Sequence, residues 1–136
     1  MTYTEPDAIA AIARAIQTEQ NYVFAAGLAG AFLRGAGRRR AVNQLAEHRA
    51  RLQANTALVD PADVPPTPPG FTPESPITDP KTARSALAAL SNALVGIYAD
   101  VASVTEGADR ATAIAWAQAS ARDAVRWGAA SQAFPT

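Results

Sequence analysis

Residues 60–80 read DPADVPPTPPGFTPESPITDP and hold eight of the ten prolines in the 136-residue chain. Each proline removes a backbone donor, and its ring crowds the residue before it away from helix. Neither a helix nor a central strand survives that density. The segment therefore reads as an extended, partly polyproline-like connection laid across a surface. Its length decides the fold. Connections between bundle helices usually run ~2–8 residues, and this one spans about 20. At ~3.1 Å per residue it can reach ~60 Å. A helix of about 22 residues is only ~33 Å long. The connection can thus run the full length of a helical bundle, which permits the helices before and after it to be parallel.

Helical patterns flank it on both sides. Thr4-Glu5-Pro6-Asp7 offers a cap, a proline suited to the first turn and two acids at the positive helix end. Ile9, Ile12, Ile16, Glu19 and Val23 then follow a 3-4-3-4 spacing that marks one helix face. Gly35-Ala36-Gly37 is expected to stop this helix. A second helix should begin at Arg38, with Val42, Leu45, His48 or Arg49, Leu52 and Thr56 inward. Beyond the connection, Asp79-Pro80 is a cap followed by proline at the first helical position. Ala83, Leu87, Leu90, Leu94, Ile97, Val101 and Val104 form an apolar stripe, which Thr105-Glu106-Gly107 breaks. The fourth helix should turn Ile114, Gln118, Ala121 and Val125 inward, with Trp116, Ser120, Asp123 and Trp127 as a flanking stripe. One all-α domain covering residues 1–136 is expected. Its helices span about 5–34, 38–58, 80–104 and 108–130, with the crossover at 59–79.

Four pieces carry a family resemblance: AIQTEQNYVFAAG at 15–27, EHRARL at 47–52, PPTPPGFTPESPITDP at 65–80 and ARDAVRW at 121–127. Together they resemble a ferritin-like domain family of unknown function found mainly in actinobacteria. The resemblance implies a ferritin-like four-helix bundle with the proline-rich crossover between helices 2 and 3. It brings no established activity.

Glu19 stands out, because an acid occupies a core position of helix 1. Counting residues down from each loop places Tyr98, Gln118 and Arg49 at its height, to within about one helical turn. A buried polar layer of Glu19, Arg49, Tyr98 and Gln118 is therefore expected, with His48 and Asp123 as a second polar pair. A metal reading competes with this. Ferritin-like di-iron sites take a Glu from each of two helices and a Glu-x-x-His from each of the other two. Here His48 is the single histidine, Leu45 stands three residues before it, and Glu19 and Glu47 are the only mid-helix glutamates. One chain cannot assemble the set. Glu19, His48 and Asp123 remain as weak ligand candidates for a degenerate metal-binding protein or oxidoreductase. The expectation is no cofactor and no catalytic residue, with Glu19 neutralised by neighbouring side chains.

Composition narrows the rest. Formal net charge is zero, so no basic field draws the chain to nucleic acid. The absence of cysteine excludes disulfides and thiolate metal sites. The longest apolar run, YVFAAGLAGAFL at 22–33, falls short of the ~20 residues that cross a bilayer. No signal-peptide pattern or phosphate-binding glycine loop is present, and a cytoplasmic protein that touches neither membrane nor nucleic acid is expected. Gly27 and Gly30 allow close helix approach within the bundle or across a dimer. The functional expectation is a non-catalytic structural or partner-binding bundle acting as a homodimer, with an unidentified protein partner also in view. A small-molecule pocket bordered by Tyr22, Tyr98 and the tryptophans is the other expectation.

Overall fold

The computed structural model describes residues 2–68 and 76–128. Four helices dominate: α1 (Pro6–Gly30), α2 (Gly35–Thr56), α3 (Pro80–Val104) and α4 (Gly107–Arg126), with one 3₁₀ turn at Pro61–Asp63. No strand occurs among the described residues.

Side-chain pairs fix the helix directions. Glu19 meets His48 and Tyr22 meets Gln44, so α1 and α2 are antiparallel. Glu19 also meets Tyr98, and Tyr22 meets Ser91, so α1 and α3 are antiparallel too. It follows that α2 and α3 run parallel. Gln44 meets Trp127 and Arg51 meets Trp116, which sets α4 antiparallel to α2. The bundle is up-down-down-up, and only an end-to-end crossover can join α2 to α3. That crossover leaves the bottom beside Tyr3, whose N–H donates to the Leu58 carbonyl at 2.8 Å. Higher up, Gln20 Nε2 donates to the Pro65 carbonyl at 3.5 Å. Val59 and Ile77 are buried, and Val64 packs on the core. Residues 69–75 of the expected crossover lie outside the described residues.

Helix ends differ from expectation in three places. The first connection is Ala31–Arg34, and Gly35-Ala36-Gly37 opens α2 instead of closing α1. Gly35 and Gly107 each stand at a first helical position with φ +57° and +59°, which is left-handed backbone that glycine alone adopts freely. Both glycines redirect the chain at a hairpin tip. The N-cap of α1 is Glu5, with no side-chain bond, so Thr4 does not cap. α4 begins at Gly107 and ends at Arg126; the expected extension to residue 130 passes partly beyond the described residues. The Asp79 reading holds, because Asp79 Oδ1 accepts from the Thr82 N–H at 2.8 Å and the Thr82 hydroxyl accepts from the Asp79 N–H at 3.0 Å. Arg110 Nε donates to the Ala102 and Thr105 carbonyls, placing a cation on the C-terminal end of α3.

α1 and α3 fill the core with Ile12, Ile16, Tyr22, Leu87, Leu94 and Tyr98, all fully buried. That volume dictates how α2 and α4 turn. α2 buries Ala41, Gln44, His48, Arg51 and Asn55, while Leu45 and Leu52 only flank the core and Val42 stays 55% exposed. α4 buries Ala113, Ala117, Ser120, Asp123 and Ala124, leaving Ile114 and Val125 nearly half exposed. The expected inward stripes of both helices are therefore corrected: small and hydrogen-bonding residues face the tyrosines. α3 is the one described helix long and apolar enough to cross a bilayer by length and composition, and its apolar stripe lies in this core.

Two predictions follow from the helix ends. A methyl group at Gly107 meets no atom within 4 Å, so Gly107→Ala should lose only backbone energy, about 1–2 kcal/mol. Gly27 has equally open space but ordinary helical backbone, so Gly27→Ala should gain about 0.5–1 kcal/mol. Urea unfolding of the two variants would read opposite signs. The Asp79 carboxyl is held below its usual range, first by the Thr82 backbone N–H and then by the Thr82 hydroxyl. A carboxyl lowered in the folded state contributes stability above its unfolded pKa of ~4 and loses it as pH falls through the folded value. The stability gap between wild type and Asp79→Ala should accordingly be full at neutral pH and shrink on acidification below that point.

Candidate functional site: the buried carboxylate layer

Three helices converge on Glu19, which is fully buried in mid-α1. Oε1 lies 2.6 Å from His48 Nδ1 on α2, and Oε2 accepts from the Tyr98 hydroxyl of α3 at 2.7 Å. An ionised carboxylate only accepts, so Nδ1 is the protonated nitrogen in this pair. Burial, then the Glu19 charge and its hydrogen bond, pushes the Tyr98 phenol far above its usual range, and the Arg51 charge opposes that rise. Tyr98 thus stays a donor at any physiological pH. Its oxygen also accepts from Asn55 Nδ2 at 3.1 Å, and the same amide donates to the Arg51 carbonyl at 2.9 Å.

A second layer sits above the first. The Tyr22 hydroxyl donates to Gln44 Oε1, which also accepts from Trp127 Nε1 at 2.8 Å. With the tyrosine proton committed to Gln44, the Ser91 hydroxyl donates to Tyr22 at 3.1 Å. Burial raises the Tyr22 phenol as well. The layers touch through the Tyr22 and His48 rings, stacked at 3.6 Å and 14°. Every helix contributes to this double layer, α4 through the Trp127 that follows it.

Glu19 and Tyr98 come together as the sequence places them, while the other expected members do not. Arg49 is exposed, and its place on α2 is taken by His48 with Arg51 a turn below. Gln118 is exposed on the outer side of α4. The reason is geometric. The first loop centres nearer Leu33 than Ala36, which moves the Glu19 level on α2 to His48, and adjacent helical residues point about 100° apart. The expected His48–Asp123 pair is likewise replaced by His48–Glu19. Asp123 Oδ1 instead stands 4.0 Å from Arg126 Nη1, and its charge adds to the Tyr22 rise. Interpolating between the Gln44–Trp127 and Arg51–Trp116 pairs puts Ser120, not Asp123, at the height of His48. Among the described residues, four buried atoms have no hydrogen-bond partner: His48 Nε2, Arg51 Nη1, Asn55 Oδ1 and Ser120 Oγ. Among the described residues, no three His, Asp or Glu side chains group so as to hold a metal ion. Sequence reasoning missed Gln44 and Asn55, although the 44-48-51-55 spacing is one helix face and was a signal available for finding them.

A family profile described as "Domain of unknown function (DUF4439)" matches residues 11–136. The chain belongs to the DUF4439 family. Among solved structures, it is similar to a conserved hypothetical protein of Mycobacterium tuberculosis. Identity is 22%, the TM-score is 0.81, and the match covers 91% of this chain and 97% of the mycobacterial one. At that identity the likeness speaks for the fold. No protein with a curated description matches.

Removing one partner from this DUF4439 layer strands a buried charge. His48→Ala should destabilise the fold by about 3–5 kcal/mol in chemical denaturation. Replacing both members, Glu19→Met with His48→Leu, should cost clearly less than the single change, because no carboxylate is then left unpaired. A loss below about 1 kcal/mol for His48→Ala would mean that the carboxylate does not depend on the imidazole.

Proposed function

We propose that this chain is a ferritin-like bundle that does no di-iron chemistry and serves as a structural or partner-binding protein. The up-down-down-up order with a single long crossover is the arrangement of ferritin-like folds, which supports the finer fold assignment. One observation carries the functional reading: both oxygens of the core carboxylate are engaged by His48 and Tyr98. A di-iron pair needs four carboxylates and two imidazoles pointing inward. Around this level the neighbouring helices add to His48 only Tyr98, Ser120 and Asn55, which are poor ligands for iron. The donor set does not fit a di-iron pair.

Self-association is part of the same proposal. Ile114 and Val125 lie on the outer side of α4, flanking exposed Gln118. Such faces suit a homodimer or a protein partner, and a cytoplasmic setting suits the proposed role.

Metal analysis of chain purified without chelators and then exposed to ferrous iron and manganese should give well under one equivalent per chain. Two bound equivalents would overturn the reading. Light scattering should report a dimer, converted to monomer by Ile114→Lys with Val125→Lys.

A further inference from the structure

Zero net charge conceals a segregation along the bundle axis. At the top, Arg34, Arg38 and Arg39 stand exposed where α2 starts, and Lys81 and Arg84 where α3 starts. Arg122 and Arg126 join them where α4 ends. Among the described residues of this end, Asp79 is the one exposed acid. The bottom is the reverse. Glu5 and Asp7 stand exposed where α1 starts, Asp60 just beyond α2, Asp100 near the end of α3 and Glu106 just before α4. The exposed cations there are Arg14 and Arg110. Outside the described residues the sequence holds one further charged side chain, Glu74, too little to reverse either sign.

Most of these charges have no partner within the molecule. Arg126 stands 4.0 Å from Asp123, but Arg34, Arg38, Arg39, Arg84 and Arg122 form no ion pair among the described residues. Below, Arg14 pairs with Asp100 at 3.3 Å and Arg110 is turned onto the α3 carbonyls, which leaves Glu5, Asp7, Asp60 and Glu106 without an ion pair. Nor can one end neutralise the other. A helix as long as α1 separates them by ~36 Å, several times the ~8 Å over which charges act at physiological salt.

We propose that the bundle associates head to tail, the basic top of one copy docking on the acidic bottom of the next. The two ends are built from the same four helices and match in breadth, about 20 Å square for helices ~10 Å across. Like ends repel, so top on bottom is the favourable pairing. A second copy supplies that acidic face at equal concentration, whereas a chain of zero net charge has no long-range pull on a polyanion such as nucleic acid. The contact buries roughly 800 Å² in total, the size of a weak and transient interface. It is heterologous and propagates along the bundle axis. It is separate from the α4-face association above, whose apolar residues hold in salt.

The test is sedimentation velocity and small-angle scattering of the full chain over a concentration series, with salt raised from about 0.02 M to about 0.5 M. The species present at high salt is the reference state, so the outcome does not depend on whether the α4 face associates. At low salt the particle should lengthen with concentration by about 36 Å per added unit. The dissociation constant should weaken by about tenfold or more as salt rises. Arg38→Glu with Arg39→Glu and Arg84→Glu cancels the top charge. Glu5→Lys with Glu106→Lys cancels the bottom one, and neither glutamate makes a side-chain cap bond. Each variant alone should stay at the reference state. Mixed in equal amounts they should associate again, because one keeps its bottom and the other its top. Glutamine at the same positions carries the test should a charge reversal fail to fold. No growth at low salt, growth unchanged by salt, no recovery in the mixture, or a top that binds a DNA duplex and no second copy would each overturn the proposal.

Discussion

The fold depends on a carboxylate shut away from bulk solvent. Glu19 sits where a core aliphatic belongs, and its charge is tolerable only because an imidazole and a phenol reach it from two other helices. That requirement ties α1, α2 and α3 together at one height. Aliphatic contacts alone allow a helix to rotate or slide by a turn at small cost, whereas a two-donor contact to a buried charge does not. The Tyr22–Gln44–Trp127 layer adds the fourth helix in the same manner, and the stacked Tyr22 and His48 rings make the two layers one unit.

This arrangement explains the division of labour among the helices. α1 and α3 bring bulk, with tyrosines, isoleucines and leucines. α2 and α4 bring alanines and polar groups that fit between those side chains. On the proposed reading, the buried polarity also sets the bundle apart from a ferroxidase. Carboxylates in a di-iron centre must keep free oxygens for metal, while here the oxygens are already spoken for by protein donors. The polar run then continues from Tyr98 to the Asn55 amide on α2.

Much of the architecture was legible in the chain. The proline-rich crossover, the Asp79-Pro80 helix start and the buried position of Glu19 opposite Tyr98 could each be read from local chemistry or from length. The partners on α2 and α4 could not. Both helices carry two weak stripes about 100° apart, one aliphatic and one small and polar, and hydropathy favours the aliphatic one. The choice fell to the other because the tyrosines of α1 and α3 needed hydrogen-bond partners and left no room for larger aliphatics. Gly35-Ala36-Gly37 misled for a related reason: glycine punctuates a helix at either end, and only the φ of Gly35 shows which.

By itself, then, the sequence determined the number of helices and the presence of an acid in the core, and it permitted the parallel course of the second and third helices. Those properties are set by periodicity, proline density and chain length, all of which act within a segment. The tertiary structure alone decided that His48 is the partner of Glu19, that Arg49 and Gln118 face outward and that Asn55 closes the network. Helix rotation is decided by what the facing helices offer, and a rotation of one residue exchanges an exposed arginine for a buried histidine.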